Sequence, residues 1–244
     1  MSFYLNLPDL RSTSVAALAH PDLLQALAAG KLDGLFLLGS PGNDFTAWLK
    51  SQGLPVVGSV GSKEQGSVVV DYPSIIRMGA EELLKEGCGT LAMVGSYDED
   101  LLSFRQAAAE LGFRYDEAGV LLNQSWEKHK LSPEGFAANL LQYFQKKGDK
   151  KTSWGLIFTD DTFASSVIPH LVASGVQIGS QLKIASHTNS GSLMLAEWKK
   201  DLILLEVDPE EMAEAMFSRL ETLMEGDKPK PKVLRILPRV KHAD

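Results

Sequence analysis

Ser153-Trp154-Gly155-Leu156-Ile157-Phe158-Thr159-Asp160-Asp161 opens the stretch on which the fold turns, and Leu182-Lys183-Ile184-Ala185-Ser186-His187-Thr188-Asn189 closes it. The short continuous apolar run at 154–158 predicts a strand covered on both faces, and it runs into the polar residues 159–161. Apolar residues at helical spacing follow over 163–173, and Gly175 stops them. The second apolar run, 182–185, closes into the polar cluster 186–189, which reads as a loop. Strand, loop, helix, strand, loop is a βαβ unit. Asp161 is placed to cap the helix by accepting a hydrogen bond from an orphan backbone N–H. Both polar clusters then stand at the C-terminal ends of parallel strands, the edge at which open α/β sheets bind small ligands. The expectation is a small-molecule site.

The same alternation extends in both directions. Strands are expected at 3–7, 35–38, 55–57, 67–70, 91–94, 120–122, 202–205 and 233–237. Between them helices are expected at 23–29, 46–51, 75–85, 101–111, 133–147 and 209–224. Asp208-Pro209-Glu210-Glu211 is the strongest local signal, with an Asp cap, Pro at the first helical position and Glu at the third. Strand–helix alternation of this kind predicts a parallel sheet with helices on its faces.

Composition narrows the function. With 244 residues, 44% of them apolar, the chain can bury a large core in one or two lobes. The net charge of −7 and scattered basic residues argue against a surface that holds a nucleic-acid backbone. Cys88 is the single cysteine, so no intrachain disulfide forms, and a reducing, cytoplasmic setting is expected. Residues 1–10 lack the pattern of a signal peptide, and no apolar run approaches membrane-spanning length.

The order of these segments resembles the effector-binding domain of the LacI/GalR family of bacterial transcription regulators. The resemblance is carried by Leu32-Asp33-Gly34-Leu35-Phe36-Leu37, Leu54-Pro55-Val56-Val57, Val68-Val69-Val70-Asp71 with Gly79-Ala80, Phe158-Thr159-Asp160-Asp161-Thr162-Phe163-Ala164, and 202–212. It implies an α/β fold of the type I periplasmic-binding-protein kind, with two similar lobes of parallel sheet flanked by helices and a ligand cleft between them. The expected crossings lie near Ser96, Val207 and Lys230. The lobes would then be 1–95 plus 208–227, with its first strand and helix truncated, and 96–207 plus 228–244. The resemblance further implies a small-molecule effector such as a sugar, a homodimer, and DNA contact only through a helix-turn-helix that these residues do not contain. The chain would be a piece of a longer regulator or a shortened relative. A solute-binding protein of a transport system is the alternative, as is a degenerate relative that no longer binds a sugar.

Candidate ligand residues follow from these placements. Ser96, Tyr97 and Asp100 follow a strand end; by the resemblance, Asp100 stands where the family has a ligand-holding Arg, and Thr188 where it has an Asp. His187, Thr188 and Asn189 hold the matching strand end, and Asp161 is a carboxylate that either caps or faces ligand. Trp126, in a polar loop, offers an aromatic face to a sugar or packs internally. Ser40, in Gly39-Ser40-Pro41-Gly42, is the candidate from the first lobe. The five histidines, His20, His129, His170, His187 and His242, show no metal-ligand spacing. No nucleophile elbow, P-loop or dinucleotide fingerprint is present, so neither catalysis nor a cofactor is expected.

Overall fold

The computed structural model describes residues 21–38, 47–49, 51–59, 66–96, 98–115, 117–122, 132–147 and 152–241. The chain divides into two compact units, one of residues 1–70 and 210–236, the other of 71–209 and 237–244.

In the first unit, helix α1 (Pro21–Ala28) precedes the parallel pair β1 (Leu35–Leu37) and β2 (Val56–Gly58). Strand β3 (Ser67–Val70) pairs in parallel with β9 (Val233–Ile236). Leu23 and Leu49 centre a small core joined by Leu35, Leu37, Trp48 and Val56. Helix α6 (Pro209–Met224) lies so close to Gly34 that a Cβ there would meet Leu220 Cδ1 at 2.7 Å, and Phe217 packs edge-on against Phe36.

The second unit holds a six-stranded sheet in the order β10-β8-β7-β6-β4-β5. Its strands are β4 (Cys88–Gly95), β5 (Val120–Leu122), β6 (Ser153–Phe158), β7 (Leu182–Asn189), β8 (Leu202–Val207) and β10 (Arg239–Lys241). All are parallel except β10, which pairs antiparallel with β8. Side chains alternate between faces along each strand. Val94, Phe158, Ile184 and Leu204 share a core with Phe136, Leu140 and Phe144 of α4 (Pro133–Lys147) and with Ala164 and Leu171 of α5 (Asp161–Ala173). The opposite face takes α2 (Tyr72–Lys85), where Gly79 lets the helix approach; a Cβ there would stand 3.2 Å from both Ala185 and Leu205. Helix α3 (Asp98–Glu110) runs beside α2, tied to it by Arg77–Glu110 at 2.6 Å.

The first division falls after Val70: β4 is hydrogen-bonded between β5 and β6, and α2 packs on β6, β7 and β8. The later divisions fall after Pro209 and Ile236, and β9 belongs to the first unit through its pairing with β3. One expectation is corrected. Strand β7 extends to Asn189, so the cluster at 186–189 is strand and not loop; its backbone continues the ladder with β8, Asn189 lying opposite Val207. The strand expected at 3–7 lies outside the described residues.

Candidate functional site

The polypeptide runs from β4 outward to β5 and then back across β4 to β6, so the strand order reverses between β4 and β6. At such a switch point the connections leave in opposite directions and open a crevice at the C-terminal strand ends. The residues at this point are Ser96 after β4 and Thr159 after β6.

Gly95 ends β4 without a side chain, so α3 can start close by; a Cβ at 95 would lie 3.2 Å from Asp100 Cβ and Oδ2. Asp100, in the first turn of α3, is only 2% exposed. Its Oδ2 accepts hydrogen bonds from the Ser96 N–H at 2.8 Å and from the Thr159 hydroxyl at 3.3 Å. The Ser96 N–H is also 3.1 Å from Thr159 Oγ1. The carboxylate thus binds the ends of β4 and β6 together at the first turn of a helix, where its charge is favoured. Buried in this bracket, Asp100 ties the two strand ends together.

The second bracket joins β6 to β7. Asp160, not Asp161, is the N-cap of α5: its side chain accepts from Thr162 N–H at 2.8 Å and Phe163 N–H at 3.2 Å. Relieved of that duty, Asp161 is the first helical residue, 9% exposed, and its Oδ2 accepts from the hydroxyls of Thr188 at 2.9 Å and Ser192 at 3.3 Å. Thr188 occurs at this place because β7 lies in register with β6, Phe158 opposite Ser186. Ser192 escaped sequence reasoning; it stands in the turn after β7, and only the fold brings it to Asp161.

His187 projects from the opposite face of β7. It is 8% exposed, its ring centroid stands 6.1 Å from that of Tyr72, and its Nε2 is buried without a hydrogen-bond partner. Burial pushes the imidazole pKa below its usual 6.5, while the charges of Asp161 and then Asp160 act in the other direction. Asn189 is exposed at the strand end. The structure therefore brings Ser96, Asp100, Asp161, His187, Thr188 and Asn189 to one edge of one sheet. Ser40, Tyr97 and Trp126 lie outside the described residues.

Among the described residues no group of three His, Cys, Asp or Glu side chains could hold a metal ion. Cys88, the one thiol, is buried at the far end of β4, and burial raises its pKa to about 11. Hydroxyls, carboxylates and one imidazole at this edge offer hydrogen bonds. No helix among the described residues is long and apolar enough to cross a membrane.

Residues 80–242 match the family described as periplasmic binding protein-like domain. No curated protein sequence matches the chain significantly. Among solved structures, the chain is similar to a transcriptional regulator CelR–cellobiose complex, at 19% identity and a TM-score of 0.72 over 90% of this chain and 68% of that one. It is also similar to the transcription regulator CcpA of Lactococcus lactis, at 20% identity and a TM-score of 0.69 over 90% and 80% of the two chains. A third likeness is to a periplasmic binding protein/LacI transcriptional regulator from Alkaliphilus metalliredigens complexed with D-xylulofuranose, at 15% identity and a TM-score of 0.68 over 91% and 80%. At these identities the likeness to solved structures establishes the fold.

Proposed function

Because the chain belongs to the family of periplasmic binding protein-like domains, we propose that it is the ligand-sensing domain of a LacI-type transcription regulator. In this reading a small polar effector such as a sugar binds at the C-terminal strand edge of the six-stranded sheet, and its binding is signalled to a DNA-binding domain and a second copy of the chain. The observation that carries the reading is the pair of brackets at the switch point: buried Asp100 and Asp161 hold three strand ends in a fixed polar array. Such an array is preorganised for hydroxyl-bearing ligands, since its side chains are already ordered before binding. Two of the solved structures with this fold contain cellobiose and D-xylulofuranose, which supports a sugar-sized effector.

The mechanism would be a population shift. A ligand favours one conformation of the domain only through contacts that differ between conformations, and that difference is what an attached DNA-binding domain reads. The test is a thermal-shift screen of the domain against neutral sugars, amino sugars, sugar phosphates and purines. A ligand present at a hundredfold excess over its Kd adds about 2.7 kcal/mol of stability by mass action. Thr188→Val removes the hydroxyl that orients Asp161 and is expected to weaken the hit about tenfold, the loss of one hydrogen bond to a charged group. A folded protein that no member of the screen stabilises refutes the reading.

A further inference from the structure

His187 carries a buried polar atom that the described residues leave open: its Nε2 has no hydrogen-bond partner, and the residue is 8% exposed. It shares the α2 face of β7 with Ala185, which lies under Gly79, and with Asn189, which is exposed at the strand end. Tyr72, the first residue of α2, precedes Gly79 by two helical turns, about 10 Å, and His187 lies about 7 Å beyond Ala185 along its strand. The helix thus begins over the imidazole, with the ring centroids of Tyr72 and His187 6.1 Å apart. His187 is the last buried side chain on this face of β7 before the edge. Its strand neighbours do not satisfy it. On β8 the residue opposite is Leu205, apolar and fully buried. On the β6 side Thr159, one residue past the Phe158–Ser186 pair, has its hydroxyl engaged with Asp100 and Ser96.

A buried polar atom without a partner costs stability, and a ligand group that bonds to it recovers that cost. Burial keeps the ring neutral, with one donor and one acceptor nitrogen. A hydroxyl both donates and accepts, so it fits Nε2 in either tautomer. An ammonium fits only one, and an anion would meet the charges of Asp161 and Asp160, which act on this ring.

Resting on the proposed ligand-sensing role, we propose that His187 is a specificity-determining residue: its Nε2 hydrogen-bonds to one hydroxyl of a neutral sugar and selects against the deoxy sugar that lacks it. A site built to bond a hydroxyl rejects the analogue without one, because its own buried atom is then left unpaired. One nitrogen meets one hydroxyl, so the selection applies at a single position of the sugar ring.

The test measures affinities by calorimetry on the intact protein for glucose, galactose, mannose, xylose and cellobiose, and for the monodeoxy analogues of each sugar that binds. For the parent protein, removal of one particular hydroxyl is expected to weaken binding about tenfold or more. His187→Phe keeps a ring against Tyr72 and removes the nitrogen; it is expected to bind that deoxy sugar and its parent sugar within about twofold of each other. Selection at the other ring positions should stay as it was. His187→Gln restores a hydrogen-bonding group, is expected to recover part of the lost selection, and serves as the second variant should the Phe protein not fold. Sugar binding whose selection among deoxy analogues is the same in the parent and both variants would mean that Nε2 meets only a water; it would overturn the assignment and leave the sensor reading standing. Binding of no sugar by the folded parent protein would overturn both.

Discussion

At the scale of the residue, position 160 or 161 decides what the edge is made of. Two adjacent aspartates follow β6, and one side chain caps the helix while the other turns to β7. Asp160→Ala removes the acceptor for two backbone N–H groups, and the expected loss of stability is about 1 kcal/mol; urea denaturation measures it. His187 supplies a pH dependence of defined sign. Its pKa in the folded protein is lowered from 6.5, chiefly by burial, so below about that pH the unfolded chain takes up a proton that the folded one resists. The stability contributed is fully present above pH 6.5 and is lost as pH falls through the window below it. A Tm series from pH 8 to pH 5 should therefore fall less steeply for His187→Gln than for the parent protein. Equal slopes would show that His187 titrates as it does in the unfolded chain.

At the scale of the element, α2 is held to the sheet by a small residue. Gly79 stands over Ala185, Leu205 and Ile157, one from each of three neighbouring strands, with the nearest carbons 3.2 Å from a built Cβ. Gly79→Leu overfills this contact and is expected to destabilise the protein by roughly 1–3 kcal/mol, read as a drop in Tm on calorimetry. The gain in helix propensity of about 1 kcal/mol from replacing glycine works against that loss and sets its lower end. Most elements of this size were legible in the sequence, since 3.6-residue and continuous apolar patterns mark helices and buried strands directly. The end of β7 was not. Ser186, His187 and Thr188 are polar, so the pattern reads as loop, yet β8 supplies ladder partners and helices cover both faces, leaving those residues 0%, 8% and 3% exposed.

At the scale of the whole molecule, one face of the larger unit's sheet is covered by an aromatic-rich core. Phe144 of α4 stacks on Trp154 of β6 with ring centroids 5.0 Å apart and planes 4° from parallel, and it touches Tyr143 and the apolar face of the sheet. Phe144→Ala is expected to cost about 3–5 kcal/mol. Because Trp154 loses its stacking partner, tryptophan fluorescence should change in the folded state as well as shift its denaturation midpoint. An unchanged midpoint would mean that the core relaxes into the gap.

The sequence by itself determined the α/β class, the alternation of strands and helices, and the placing of polar residues at the C-terminal strand ends. Those features are written in local hydrophobic periodicity and cap chemistry, which depend on residues near one another in the chain. Only the tertiary structure decided that β4 joins the sheet of β6 and β7, that Asp160 caps while Asp161 reaches Thr188 and Ser192, and that Asp100 is buried in a bracket with Thr159. Each of these depends on which strands become neighbours. That choice is made by packing between segments distant in sequence, Gly79 on Ala185 or Asp161 on Thr188, and no local pattern records it.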